Sequence, residues 1–201
     1  MTIHAHPDDE SSKGAGSVAL YSDAGVTATL VCCTGGEEGD ILNPAMDRPE
    51  IKENIAKVRQ EELAKAANII GYKRVHYLGY RDSGMPDTEA NKNPDCFANA
   101  PLDEAVGRLV KIIREEKPHV IVTYPDDQQG YQHPDHLKVF DISLPAWEAA
   151  GDPLKFPEFG DPWTPLKLYY TTWSRARIEA LHDMFIKLKI ESPFNDAWFD
   201  R

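Results

Sequence analysis

His6-Pro7-Asp8-Asp9-Glu10 places one imidazole and three carboxylates within five residues, and His133-Pro134-Asp135-His136 adds two imidazoles and a fourth carboxylate. Acids this close repel one another unless a cation, a proton or a cationic group sits among them. Two histidines and one carboxylate are a suitable ligand set for catalytic Zn2+, which keeps a position open for water, and Fe2+ fits the same donors. We take His6, Asp9 and His136 as the ligands. Hydrolysis then needs a base for the attacking water and a donor for the oxyanion that attack creates. Asp8, beside a ligand, is free to be the base. His133, with Asp135 able to accept its other N–H and fix its tautomer, suits oxyanion support or protonation of a leaving amine. Tyr131 is a second donor to the same oxyanion.

These residues meet only if the elements carrying them are neighbours. Residues 1–5 read as a short buried strand, after which Pro7 biases His6 away from the helical region and sends the acids into an irregular loop. A helix over 12–24 stops at Gly25, and 26–33 (VTATLVCC) is apolar on both faces, as in a central parallel strand. Apolar residues at 51, 55, 58, 63, 66 and 70 predict one helix over 51–70, closed by Gly71. A strand over 74–78, a long loop to Pro101, a helix over 102–117 and a strand over 118–124 follow. Pro134 fits the first turn of a helix running towards Ala149, interrupted near Pro145, with a fifth strand over 166–173 and a last helix over 174–188. This alternation implies right-handed βαβ units and a three-layer Rossmann-like α/β domain with a mostly parallel sheet. With strand order 3-2-1-4-5, strands 1 and 4 adjoin where the winding reverses, and ligands bind at their carboxyl ends. His6 and His133 both lie there, so topology alone brings two motifs distant in sequence into one active site.

Composition narrows the partners. The 201 residues suit a single domain, and 33 acidic against 22 basic residues give a net charge of −11 with no basic run. Nucleic acid and anionic membrane are therefore poor partners. No apolar run nears the roughly 18 residues of a spanning helix, and the acidic start is unlike a signal peptide, so the expectation is a cytoplasmic protein. Cys32 and Cys33 lie in an apolar run and read as buried thiols, while Cys96 falls in a loop that leaves it open to exposure. The short first strand and the halt after residues 194–199 (FNDAWF) read as signs of truncation at both ends.

Two rival readings are weaker. Gly14-x-Gly16-x-x-Ala19 matches a dinucleotide fingerprint, but seven residues from Pro7 to Lys13, three of them acidic, separate it from the strand and would repel a pyrophosphate. A non-haem iron oxygenase would use the same ligand types. It lacks an arginine for an oxoacid near either motif and leaves Asp8 without a task.

The motifs Ala5-His6-Pro7-Asp8-Asp9-Glu10, Arg59-x-x-Glu62-Leu63, Arg81-Asp82-Ser83-Gly84 and His133-Pro134-Asp135-His136 together resemble the zinc-dependent GlcNAc-inositol de-N-acetylase superfamily. Ser11 to Ala15, Cys33 to Glu37, Ile41 to Asp47 and Tyr170 to Arg177 are similar to its branch of amidases that act on mycothiol S-conjugates. The resemblance implies zinc on His6, Asp9 and His136, Asp8 as base, and His133 with Tyr131 at the oxyanion. It also implies that Arg59, Asp82 and Asp40 bind a glucosaminyl-inositol group, and that Lys13 separates conjugate amidase from deacetylase. The implied substrate is a small thiol-sugar conjugate, cleaved to glucosaminyl-inositol and a mercapturic acid. Deacetylation of N-acetylglucosaminyl-inositol is the alternative.

Overall fold

A computed structural model of the chain describes residues 1–128 and 131–194, so 195–199 of the apolar segment named above lie outside the described residues. The chain divides into two compact units, Met1–Thr171 and Thr172–Arg201. The first holds a five-stranded sheet of β1 (Thr2–His4), β2 (Ala28–Thr34), β3 (Tyr72–Tyr80), β4 (Val120–Thr123) and β5 (Lys167–Tyr170). The order is β3-β2-β1-β4-β5, the one expected, and every pairing is parallel. β1 is buried at all three positions because it lies between β2 and β4, with Ile3 opposite Val31 and Thr2 opposite Val122.

Helices cover both faces. Ile3, Val31, Cys33 and Ile121 pack with Leu109 and Ile113 of α5 (Leu102–Glu116) and with Val139 and Ile142 of α6 (Pro134–Gly151). Leu30, Cys32 and Tyr72 pack on the other face with Leu63 and Ala67 of α4 (Ile55–Ile70). Adjacent residues of one strand thus enter different cores, the period-2 alternation of a β-strand buried on both sides. All three cysteines are buried, Cys96 included, contrary to the exposure its loop position allowed.

Three local expectations change. The acids after His6 do not leave in an irregular loop: Asp9–Ser12 form a short helix, α1, and α2 (Ala15–Asp23) starts only after a left-handed Gly14. The helix expected over 51–70 is split into α3 (Pro49–Lys52) and α4, with Asn54 as the N-cap of α4. α6 runs unbroken through Pro145. The carbonyl that proline leaves without a donor belongs to Asp141, an exposed residue. The end of α6 is instead fixed by buried Arg114, whose guanidinium donates to six carbonyls between Ala149 and Gly160. In the second unit α7 (Arg175–Leu188) starts at Ser174, whose hydroxyl accepts from the Arg177 N–H.

Candidate active site

β1 ends at His4, and the chain turns at once. The Asp9 carboxylate oxygen Oδ2 accepts the His6 backbone N–H at 3.0 Å, closing a tight turn around Pro7. The same oxygen lies 3.5 Å from His6 Nδ1 and 3.5 Å from His136 Nε2. Ligand atoms about 2.1 Å from a tetrahedral ion stand about 3.4 Å apart. The three side chains are buried and their donor atoms converge, so they fit a metal ion as a set. His136 reaches them from the first turn of α6, which starts at the carboxyl end of β4 as the winding rule requires.

Asp135 plays a different part from the one expected. Its carboxylate does not go to His133: Oδ2 is 3.0 Å from His6 Nε2 and accepts the Ser83 N–H at 3.0 Å, and Oδ1 accepts the Ser83 hydroxyl. A carboxylate behind the outer nitrogen of His6 places its proton there and leaves Nδ1 as the lone pair facing Asp9 and His136. Asp135 does fix the tautomer of His133, but through its backbone, whose N–H donates to His133 Nδ1 at 3.2 Å as the N-cap bond of α6. His133 therefore carries its proton on Nε2. It is neutral, with burial above all holding it down to about 4. Of the two tasks considered for it, oxyanion support fits. Protonating an amine would need an imidazolium whose Nδ1–H would confront the Asp135 N–H.

Asp8 has a left-handed backbone, φ 115°, and its N–H donates to the buried Glu10 carboxylate at 2.9 Å. Its own carboxylate is exposed to the cleft, with Oδ2 paired to Arg59 Nη2 at 2.6 Å. Arg59 also donates to the Pro7 and Gly36 carbonyls. It is a clamp on the Asp8 turn more than the free substrate-binding cation implied by the resemblance. The loop after β2 is glycine-rich for this reason: a Cβ on Gly36 would sit 2.2 Å from Arg59 Nη1, and Gly36 has φ +69°. Asp82 is likewise occupied, accepting from the Gly84 N–H at 2.8 Å and lying 3.6 Å from His6 Nε2. Lys13 reaches the cleft and pairs with Asp9 Oδ1, a cation already among the acids. Burial would raise Asp9, yet hydrogen bonds from His136 and His6 and the Lys13 charge hold it well below the usual carboxylate range. Asp40 stands at the cleft mouth, and the exposed Tyr131 hydroxyl points to Met85 Sδ, 4.0 Å away. The cleft encloses about 510 Å3.

Sequence reasoning missed Ser83, Glu10 and the pair His4 and Tyr124. Ser83 and Glu10 stand inside motifs already noted, but only the fold shows which neighbour each holds. His4 Nδ1 is 3.1 Å from the Tyr124 hydroxyl, and burial pushes His4 down to about 4. The Tyr124 ring packs edge-on against His136, centroids 4.9 Å apart.

Residues 1–147 match the family model described as GlcNAc-PI de-N-acetylase (PIG-L). The chain belongs to this family, and because de-N-acetylation is the cleavage of an amide, its class is that of hydrolases acting on amide bonds. It is similar to a protein of Streptomyces coelicolor named mycothiol S-conjugate amidase, 45% identical over 100% of this chain and 70% of that one. It is also similar to a Catenulispora acidiphila protein named 1D-myo-inositol 2-acetamido-2-deoxy-alpha-D-glucopyranoside deacetylase 1, 43% identical over 85% of this chain and 54% of that one. Among solved structures, the N,N'-diacetylchitobiose deacetylase of Pyrococcus horikoshii shares the fold, with a TM-score of 0.68 at 21% identity, over 100% of this chain and 72% of that chain. Among the described residues, no helix is long and apolar enough to cross a membrane.

Proposed function

We propose that the chain is a metal-dependent amidase that cleaves mycothiol S-conjugates to glucosaminyl-inositol and a mercapturic acid. The reading rests on one observation above all: a carboxylate oxygen 3.5 Å from two imidazole nitrogens, with Asp8 beside it and open to the cleft. His6, Asp9 and His136 would hold Zn2+ or Fe2+, which polarises a carbonyl and acidifies water. Asp8, steadied by Arg59, takes the proton of the attacking water. His133 donates its Nε2–H to the oxygen on which negative charge grows, and Tyr131 stands at the same rim. Asp8 then returns its proton to the leaving amine nitrogen. Asp40 and Asp82 line the side assigned to the glucosaminyl-inositol hydroxyls, and Lys13 is the residue assigned to discriminate between acyl groups.

Deacetylation of N-acetylglucosaminyl-inositol is the second reading, favoured by the deacetylase names among the relatives. Release of primary amine from a bimane conjugate of mycothiol and from N-acetylglucosaminyl-inositol, with zinc-loaded protein, decides between them. We expect faster cleavage of the conjugate and loss of both activities on chelation. Faster deacetylation would overturn the reading.

A further inference from the structure

Ser83 stands just beyond the end of β3 and, like Asp135, is wholly buried. It presents two donors to one carboxylate: its N–H goes to Asp135 Oδ2 at 3.0 Å and its hydroxyl to Oδ1. A donor on each oxygen fixes the plane of that carboxylate as well as its place. The same Oδ2 faces His6 Nε2 at 3.0 Å. On its other side the Ser83 hydroxyl oxygen accepts the Ala98 N–H at 2.8 Å. A backbone N–H can only donate, so this contact directs the hydrogen of Ser83 away from Ala98 and towards Asp135. Ala98 is itself held from the core, because its neighbour Phe97 is fully buried and donates its N–H to the Arg81 carbonyl at 2.9 Å. The run therefore has one direction, from Ala98 N–H through Ser83 O–H to Asp135, which receives the His6 Nε2–H from the opposite side.

No other described group takes over if this run fails. Asp82 Oδ1 is 3.6 Å from His6 Nε2, too far for a hydrogen bond, and already accepts the Gly84 N–H at 2.8 Å. Without the Ser83 hydroxyl, Asp135 Oδ1 is a buried carboxylate oxygen with no donor. The carboxylate then gains by turning that oxygen towards the donors that remain, which takes Oδ2 out of line with His6. An imidazole whose outer nitrogen has lost its acceptor is free to turn over or to move its proton to Nδ1. Either change removes the Nδ1 lone pair from the point that Asp9 and His136 also face.

We infer that Ser83 is a positioning residue for the metal centre: its hydroxyl aligns Asp135, and Asp135 in turn holds the ring and tautomer of His6. Metal affinity is thereby set in part by a hydroxyl that touches none of the three ligands, anchored on the segment that returns from the long loop after β3. The inference rests on His6, Asp9 and His136 as the ligand set, and the identity of the substrate does not enter it.

The test is zinc affinity, measured on the metal-free full chain by competition with a fluorescent chelator, so no turnover is needed. We expect Ser83→Ala to weaken zinc binding about tenfold, the lower end of what the outer partners of ligating histidines contribute. Ser83→Cys, of similar size but a weaker donor, should lose less. In the Asp135→Asn background, Ser83→Ala should cost less than about threefold, because the step it acts through is already broken. Circular dichroism and urea unfolding of the metal-free proteins separate loss of fold from loss of affinity. A folded Ser83→Ala with wild-type affinity overturns the inference and leaves the serine a support of the loop alone. So does an equal loss with and without the Asp135 carboxylate, and, should Ser83→Ala not fold, wild-type affinity in Ser83→Cys. His136→Ala tests the ligand set separately and should abolish zinc binding. Undiminished binding in that variant overturns the ligand set and the inference together, whereas its loss beside an unaffected Ser83→Ala overturns the inference alone.

Discussion

Asp8 carries its carboxylate on a bend that L-residues avoid, with φ 115°. The conformation persists because three contacts from two neighbours over-determine it: Glu10 accepts its N–H, Arg59 holds its carboxylate, and the same Arg59 holds the Pro7 carbonyl. Such strain costs on the order of 1–3 kcal/mol and collects at functional sites. Asp8→Gly removes it and Asp8→Ala does not. Chemical denaturation of the metal-loaded proteins should find Asp8→Gly the more stable of the two by about 1 kcal/mol. Both should keep their metal and lose about a hundredfold or more in turnover. Equal stabilities would show that the turn relaxes once the carboxylate is gone. Metal loss in Asp8→Ala would show that Asp8 and Asp9 have been exchanged in our assignment. Residue types alone pointed to Asp8, Asp9 and the histidines, because imidazoles and carboxylates at the ends of strands have few other uses. They could not reveal that Asp135 serves His133 through its backbone and His6 through its side chain. Direction in a loop has no periodicity to be read.

At the scale of elements, Glu116 ties the end of α5 to two strands. Its carboxylate accepts from Thr29 of β2 at 3.0 Å and from Arg74 of β3 at 2.6 Å, and lies 2.9 Å from His76 Nε2. Burial would raise Glu116, but the hydrogen bonds from Arg74, His76 and Thr29 outweigh it and leave the group below its ordinary 4.5. A carboxylate lowered by folding stabilises the native state above its unfolded value, and that contribution disappears as pH falls through the lower, folded one. The stability gap between wild type and Glu116→Gln in urea should therefore be full at pH 7 and narrow as the pH is taken below about 4. A gap independent of pH would mean that shape, not charge, makes the contact. The elements themselves were largely legible, since α5 carries an unbroken helical stripe and β2 a continuous apolar run. The break between α3 and α4 was not: the apolar stripe continues across it, with Ile51, Ile55 and Val58 lining a cavity, and a stripe that lines a cavity looks the same in sequence as one that lines a core.

For the whole molecule, the alternation of strands and helices implied a parallel sheet, and the order 3-2-1-4-5 taken for it is the one observed, which makes the two distant motifs meet. Side chains did not need to be known for that. The net charge of −11 acts at the same scale. An acidic surface around an acid-lined cleft repels anionic substrates at long range and salt screens the repulsion. Raising ionic strength should thus increase kcat/KM for a conjugate with a carboxylate on its sulfur substituent and leave a neutral conjugate unchanged; equal salt dependence would confine the selectivity to short-range contacts. One feature of the sheet reaches further. Cys32 and Cys33 point into opposite cores from one strand, and Cys96 is sealed under its loop. Burial raises the first two well above the usual thiol range, which suppresses the nucleophilic thiolate. Under the amidase reading proposed above, a catalyst working among alkylating agents would lose any thiol that faced the solvent. Here every cysteine is folded out of reach and offers such reagents no accessible thiolate.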